Sequence, residues 1–189
     1  MTVAKRLGAG AVVLGLAAPF AGSPYVSMRG HIDVDDIAQV IAKGGDHIAP
    51  VQLARWIRER RPRLRVIDVR RPAEFAEYAI PTAENIPLEL LPRSSFAADE
   101  TIVLYSAGGA HAAQAWMMLR AMGYRSVYFI SGGLVDWDVD VMSPVLPPDA
   151  SSEERAAFES TADLSRYFGG DPQLEAAARQ GNSPRRRGC

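Results

Sequence analysis

Three short runs constrain this chain more than any other feature of it. Residues 64–69 (LRVIDV), 101–105 (TIVLY) and 127–130 (VYFI) are compact and mainly apolar. A strand that is apolar on both faces must be covered on both faces, which is the condition of a parallel sheet lying between helices. Between the last two runs, residues 110–122 carry Ala113, Trp116, Met117 and Leu119 along a helical stretch that stops before Gly123. Two further helices are predicted ahead of the first strand. One covers residues 34–42, with Val34, Ile37, Val40 and Ile41 recurring at helical spacing and a stop at Gly44-Gly45. The other covers 51–60, opened by Pro50 and closed by Pro62, with Leu53, Trp56 and Ile57 on one face and arginines opposite. Strands alternating with helices at this spacing predict an α/β domain with a mainly parallel central sheet flanked by helices.

At 189 residues the chain accommodates one domain with extensions at both ends. Residues 1–22 read as a signal peptide or N-terminal anchor. Lys5 and Arg6 precede the small, apolar stretch 7–18 (LGAGAVVLGLAA), and Ala21-Gly22-Ser23 offers small residues ahead of Pro24. The run is short for a bilayer span, so the expectation is export to the periplasm or cell envelope, with no stable membrane span after processing. Residues 23–46 form a lead-in helix, 47–142 the main domain and 143–189 a tail. In that tail Pro144, Pro147 and Pro148 form a stiff linker. Ser151 to Glu154 then caps a helix running to Phe168, and the polar residues from Gly169 onward are expected to fray or dock loosely.

The formal net charge is −1, which leaves no global field pointing to nucleic acid or to an acidic membrane surface. The basic run Arg185-Arg186-Arg187 reads as a solvated tail. Cys189 is the single cysteine, so neither an internal disulfide nor a zinc site of several thiolates can form. His31, His47 and His111 lack ligand spacing, and neither a metal nor a cofactor is expected.

In an open α/β sheet, ligands sit beyond the carboxyl ends of the strands. After the first strand come Asp68, Arg70 and Glu74, read as a scaffold in which a buried carboxylate pairs with nearby donors. After the second comes Ser106-Ala107-Gly108-Gly109-Ala110-His111, leading directly into a helix. Such a loop either makes a tight turn or cradles a small anion with backbone N–H groups and the helix dipole. Trp56, Trp116 and Trp137 read as core.

Taken together, these segments resemble the rhodanese-like domain family over residues 48–142. The likeness rests on Pro50-Val51-Gln52-Leu53-Ala54, on Val66-Ile67-Asp68-Val69-Arg70, on Glu74-Phe75, Ile80-Pro81, Ala83 and Asn85-Ile86-Pro87, and on Met122-Gly123-Tyr124 and Gly132-Gly133 to Trp137. The resemblance implies a loop after Tyr105 that opens with a cysteine, which carries sulfane sulfur as a persulfide to an acceptor. Here Ser106 stands at that place, Ala107 where an arginine is frequent, His111 at the later basic position, and Tyr78-Ala79 where a glycine-histidine pair is usual. A serine oxygen cannot serve as a persulfide carrier and needs an adjacent base to act as a nucleophile. Ser106 is therefore expected to cap the following helix in a non-catalytic module that binds a small anion, a sulfur compound or a protein partner at the 106–111 loop. The alternative is a sulfurtransferase or thiol relay using Cys189, a terminal thiol flanked by arginines.

Overall fold

The computed structural model of this chain describes residues 33–174. Five strands form one sheet in the order β1-β5-β4-β2-β3, and every pairing in it is parallel. The strands are β1 (His47–Ile48), β2 (Leu64–Asp68), β3 (Ala83–Asn85), β4 (Thr101–Tyr105) and β5 (Val127–Ile130). The central run predicted at 101–105 is β4, and four of its five residues are buried. Residue alternation sends Ile67, Ile102 and Leu104 to one face of the sheet and Val66, Val103 and Tyr105 to the other.

Helices cover both faces, as two-sided apolar strands require. Helix α1 (Val34–Ala42) and helix α4 (Ala110–Ala121) bury Ile37, Ala115, Trp116 and Leu119 on the first face. Asp36 of α1 pairs with Arg120 of α4 and with Arg125 just beyond it, which ties the lead-in helix to this face. Helix α2 (Pro50–Arg58) brings Leu53, Ala54 and Ile57 to the second face. Short α3 (Pro72–Glu77) follows β2, and α5 (Gly133–Trp137) runs into a single π turn over Asp138–Met142. Trp116 and Trp137 are fully buried, and Trp116 Nε1 donates to Val127 O at 2.9 Å. Trp56 is half-buried, with the Arg61 guanidinium 4.0 Å above its ring.

The chain beyond the π turn is more closely bound to the domain than its composition implied. Helix α6 (Ser152–Tyr167) starts in a capping box, with Ser151 Oγ accepting from Glu154 N and the Glu154 carboxylate from Ser151 N. Its Leu164 belongs to the same buried cluster as Leu53, Val103 and Trp137, and Phe168 packs edge-on against Trp137. Of the segment from Gly169, expected to fray or dock loosely, the described residues dock as far as Leu174. Gly170 has no side chain to strike Met142 O, Asp171 N donates to that carbonyl at 2.7 Å, and β7 (Gln173–Leu174) pairs with β6 (Val145–Leu146). Backbone pairing and an apolar stripe hold this segment where polarity alone predicted a loose tail. Truncating the fully buried Leu164 to Ala is expected to lower the unfolding free energy by about 2–5 kcal/mol. Urea denaturation reads it, and a loss below about 0.5 kcal/mol would place α6 outside the cooperative unit.

Candidate functional site

All five strands run the same way, so the loops after β2, β4 and β5 meet at one edge of the sheet. Asp68 and Tyr105 end β2 and β4 as register partners, on the face covered by α2 and α6. The Asp68 side chain is 0% exposed and accepts three donors from Arg70: the backbone N at 2.8 Å, Nε at 3.1 Å and Nη2 at 2.6 Å. Arg70 Nη2 also donates to Tyr78 O at 2.6 Å, which staples the segment after α3 to the strand end. Asn85 Nδ2 donates to the carbonyls of Asp68 and Arg70, and Tyr105 Oη accepts from Ile80 N at 3.2 Å. Hydrogen bonds thus link Asp68 and Arg70, read from the sequence as a loop scaffold, and Asn85 and Tyr105 bond to the same strand end and the segment after it.

Burial penalises the Arg70 cation, but the hydrogen bonds and charge of Asp68 outweigh that penalty and raise its pKa. Burial, reinforced by the Asp68 carboxylate, pushes the Tyr105 phenol well above its ordinary range. Glu74, expected in the same scaffold, bonds elsewhere. Its carboxylate reaches back to Arg71 N and Nε at the start of α3, and the Arg71 hydrogen bond lowers its pKa. A residue three positions into a short helix is placed to serve that helix's free N–H groups first.

Ser106 is 2% exposed, and its Oγ accepts from Gly109 N at 3.1 Å and from Ala112 N at 3.3 Å. Ala112 is the third residue of α4, so the serine satisfies one of the free amides of that helix, as a cap does. Among the described residues, the N–H groups of Ala107, Gly108, Ala110 and His111 have no acceptor. His111 is exposed and makes no hydrogen bond to Ser106 Oγ, so the loop contains no Ser–His pair.

A close backbone approach sets the shape of this loop. Leu134 N and Val135 N donate to the carbonyls of Ser106 and Ala107 at 3.0 and 3.1 Å. Gly133, at φ +61°, lies so near that a Cβ there would stand 2.3 Å from Ser106 O and 2.7 Å from Gly109 N. Gly109 itself has φ +89°, whereas Gly108 faces open space and is sterically dispensable.

One neighbour of the site, Asp136, and one bond, between Trp137 and Tyr78, were not read from the sequence. The Asp136 carboxylate lies against Gly132, one of the two glycines that approach the loop at Gly109. Trp137 Nε1 donates to Tyr78 Oη at 2.9 Å, linking the segment after β2 to the helix after β5. The replacement of a glycine by Tyr78 was the available signal for that bond. No group of metal ligands occurs among the described residues. Cys189 lies outside the described residues, as do residues 1–32 with the predicted signal segment.

The rhodanese-like domain model matches residues 49–140. A sulfurtransferase of Allochromatium vinosum is 36% identical over 74 residues, covering 38% of this chain and 69% of that protein. The chain belongs to the rhodanese-like domain family. A probable adenylyltransferase/sulfurtransferase MoeZ of Mycobacterium tuberculosis is 35% identical over 107 residues, which cover 54% of this chain and 26% of that longer protein. Among solved structures, a rhodanese-like domain protein of Staphylococcus aureus is 30% identical over 49% of this chain and 90% of its own, with a TM-score of 0.45. The parallel sheet flanked by helices is the fold expected of a rhodanese-like domain, and the scaffold of Asp68, Arg70 and Tyr105 lies within the matched residues.

Replacing Gly133 by Ala in this rhodanese-like domain should cost several kcal/mol, because the new carbon meets backbone and not a yielding side chain. Thermal unfolding reads it, and an unchanged melting temperature would show that the two loops separate without cost. The Tyr105 phenol should ionise above the ordinary phenol range in an absorbance titration. Its raised folded-state pKa contributes stability that is fully present below the ordinary phenol pKa and fades as pH climbs past it. A Tyr105→Phe variant whose alkaline unfolding matches the parent would refute that assignment.

Proposed function

We propose that this rhodanese-like domain does not transfer sulfur through its 106–111 loop, and that the loop binds a small anion or an acidic group on a protein partner. One observation carries the proposal: Ser106 Oγ, buried at the base of the loop, accepts from Gly109 N and Ala112 N. An oxygen held by two amide donors has both lone pairs engaged, lacks a base beside it, and cannot form a persulfide. The four N–H groups without acceptors, on Ala107, Gly108, Ala110 and His111, then supply donors for an oxyanion or a carboxylate at the start of α4. Asp136 lies close by, and Ala107 supplies no cation where family members frequently have arginine, so the amides carry the recognition. Export to the periplasm or cell envelope, read from residues 1–22, belongs to the same proposal and places the module outside the cytoplasm.

The purified full-length protein is expected to form no thiocyanate from thiosulfate and cyanide above the protein-free rate. Activity lost on Ser106→Ala would overturn the proposal, and activity lost instead on Cys189→Ser would transfer the function to the terminal thiol. In amide-resolved NMR, titration with thiosulfate, sulfite or phosphate should shift the Ala107, Gly108, Ala110 and His111 resonances saturably. Resonances that stay fixed with all three anions would remove small-anion binding.

A further inference from the structure

The near-neutral net charge conceals a separation of charge along the strands. Helix α2 runs from the carboxyl end of β1 back to the amino end of β2, so its last turn lies at the edge of the sheet opposite the 106–111 loop. That turn and the residues after it carry Arg55, Arg58, Arg60 and Arg61, all exposed. Among the described residues no carboxylate pairs with any of the four, whereas Arg63 and Arg65 next in the chain are matched by Asp99, Glu84 and Glu100. Arg60 adopts a left-handed backbone, with Arg60 N donating to Ile57 O and Arg61 N to Trp56 O. This turn folds the Arg61 guanidinium back over the half-buried Trp56 ring, where stacking leaves its N–H groups free at the surface. Lys43, at the end of α1 and ahead of β1, is exposed toward the same edge. The opposite edge carries the paired Arg71 and Glu74 together with Glu77, Asp136 and Asp138, which leaves it net acidic.

We propose that this amino-edge patch of Arg55, Arg58, Arg60, Arg61 and Lys43 docks peripherally on an anionic phospholipid surface, holding the domain with its loop turned toward solvent. Two observations favour a membrane over other polyanions. Lys5 and Arg6 precede a 12-residue apolar stretch, residues 7–18, and a segment of this kind, read as an export signal or anchor, would bring the chain to a bilayer. The charge separation also matches a planar anionic surface, which attracts one edge of the sheet and repels the other. A guanidinium stacked on an indole, flanked by free arginines, suits lipid phosphates at an interface. The contact is peripheral, since no helix among the described residues is long and apolar enough to cross a membrane.

The test is cosedimentation of the full-length protein with phosphatidylglycerol-containing vesicles and with pure phosphatidylcholine vesicles, at low and at physiological salt. Each basic residue near an anionic surface is worth roughly fivefold in partitioning. The variant R55Q/R58Q/R60Q/R61Q should therefore lose up to about 600-fold of the anionic-vesicle affinity. The apolar stretch 7–18 contributes to both vesicle types, so the difference between them reads the patch. Glu59→Gln, which removes the one carboxylate among these arginines, should tighten binding several-fold and keeps the test decisive if the quadruple variant fails to fold. Equal binding to both vesicle types, an affinity unmoved by either variant, or tighter arginine-dependent binding to duplex DNA than to the anionic vesicles would each overturn the proposal.

Discussion

The arrangement depends on two backbones meeting without side chains between them. The loop after β4 and the turn after β5 share hydrogen bonds from Leu134 and Val135 to the carbonyls of Ser106 and Ala107, and Gly133 makes that approach possible. With those carbonyls occupied, the chain between them and α4 is held in one shape, and Ser106 Oγ is brought to the amides of Gly109 and Ala112. The amides at the start of α4 would otherwise be buried donors without partners, each costing about 1–3 kcal/mol. The serine is therefore as much a part of the helix start as of any site.

Beneath that loop, a buried ion pair holds the neighbouring strand end. Asp68 takes up Arg70 through its backbone amide and its guanidinium, and Arg70 passes the constraint on to the carbonyl of Tyr78. A buried pair contributes little net stability, but losing one partner strands a charge in the interior. Its effect here is positional. It sets the path of residues 70–80 beside β4, and the bond from Trp137 to Tyr78 closes the same segment against α5. Three loops from β2, β4 and β5 thereby form one connected rim, with Asp136 on it and, among the described residues, no unpaired guanidinium at its centre.

Much of the fold was legible in the sequence. Strands β4 and β5 and helix α1 fall where the apolar runs and glycine stops put them, because each is long enough, or apolar enough, to declare its period. Strands β1, β3, β6 and β7 have two or three residues each, too few to show any alternation. Helix α3 has six residues, none of them buried, so it has no apolar stripe to read. The polar composition after Gly169 pointed to fraying or loose docking, and backbone hydrogen bonds hold residues 170–174 against the domain regardless of composition.

The sequence by itself determined the class of sheet and the family, because each is encoded by motifs of neighbours along the chain or by a period within one element. Tertiary structure alone decided which donors Ser106 satisfies, that Gly133 and not Gly108 is sterically required, and that Tyr78 meets Trp137 across 59 positions of chain. It also decided that free arginines gather at the edge opposite the loop, which a net charge of −1 hides. Charge counting sums over the whole chain, whereas a parallel sheet sorts residues by which end of a strand they adjoin.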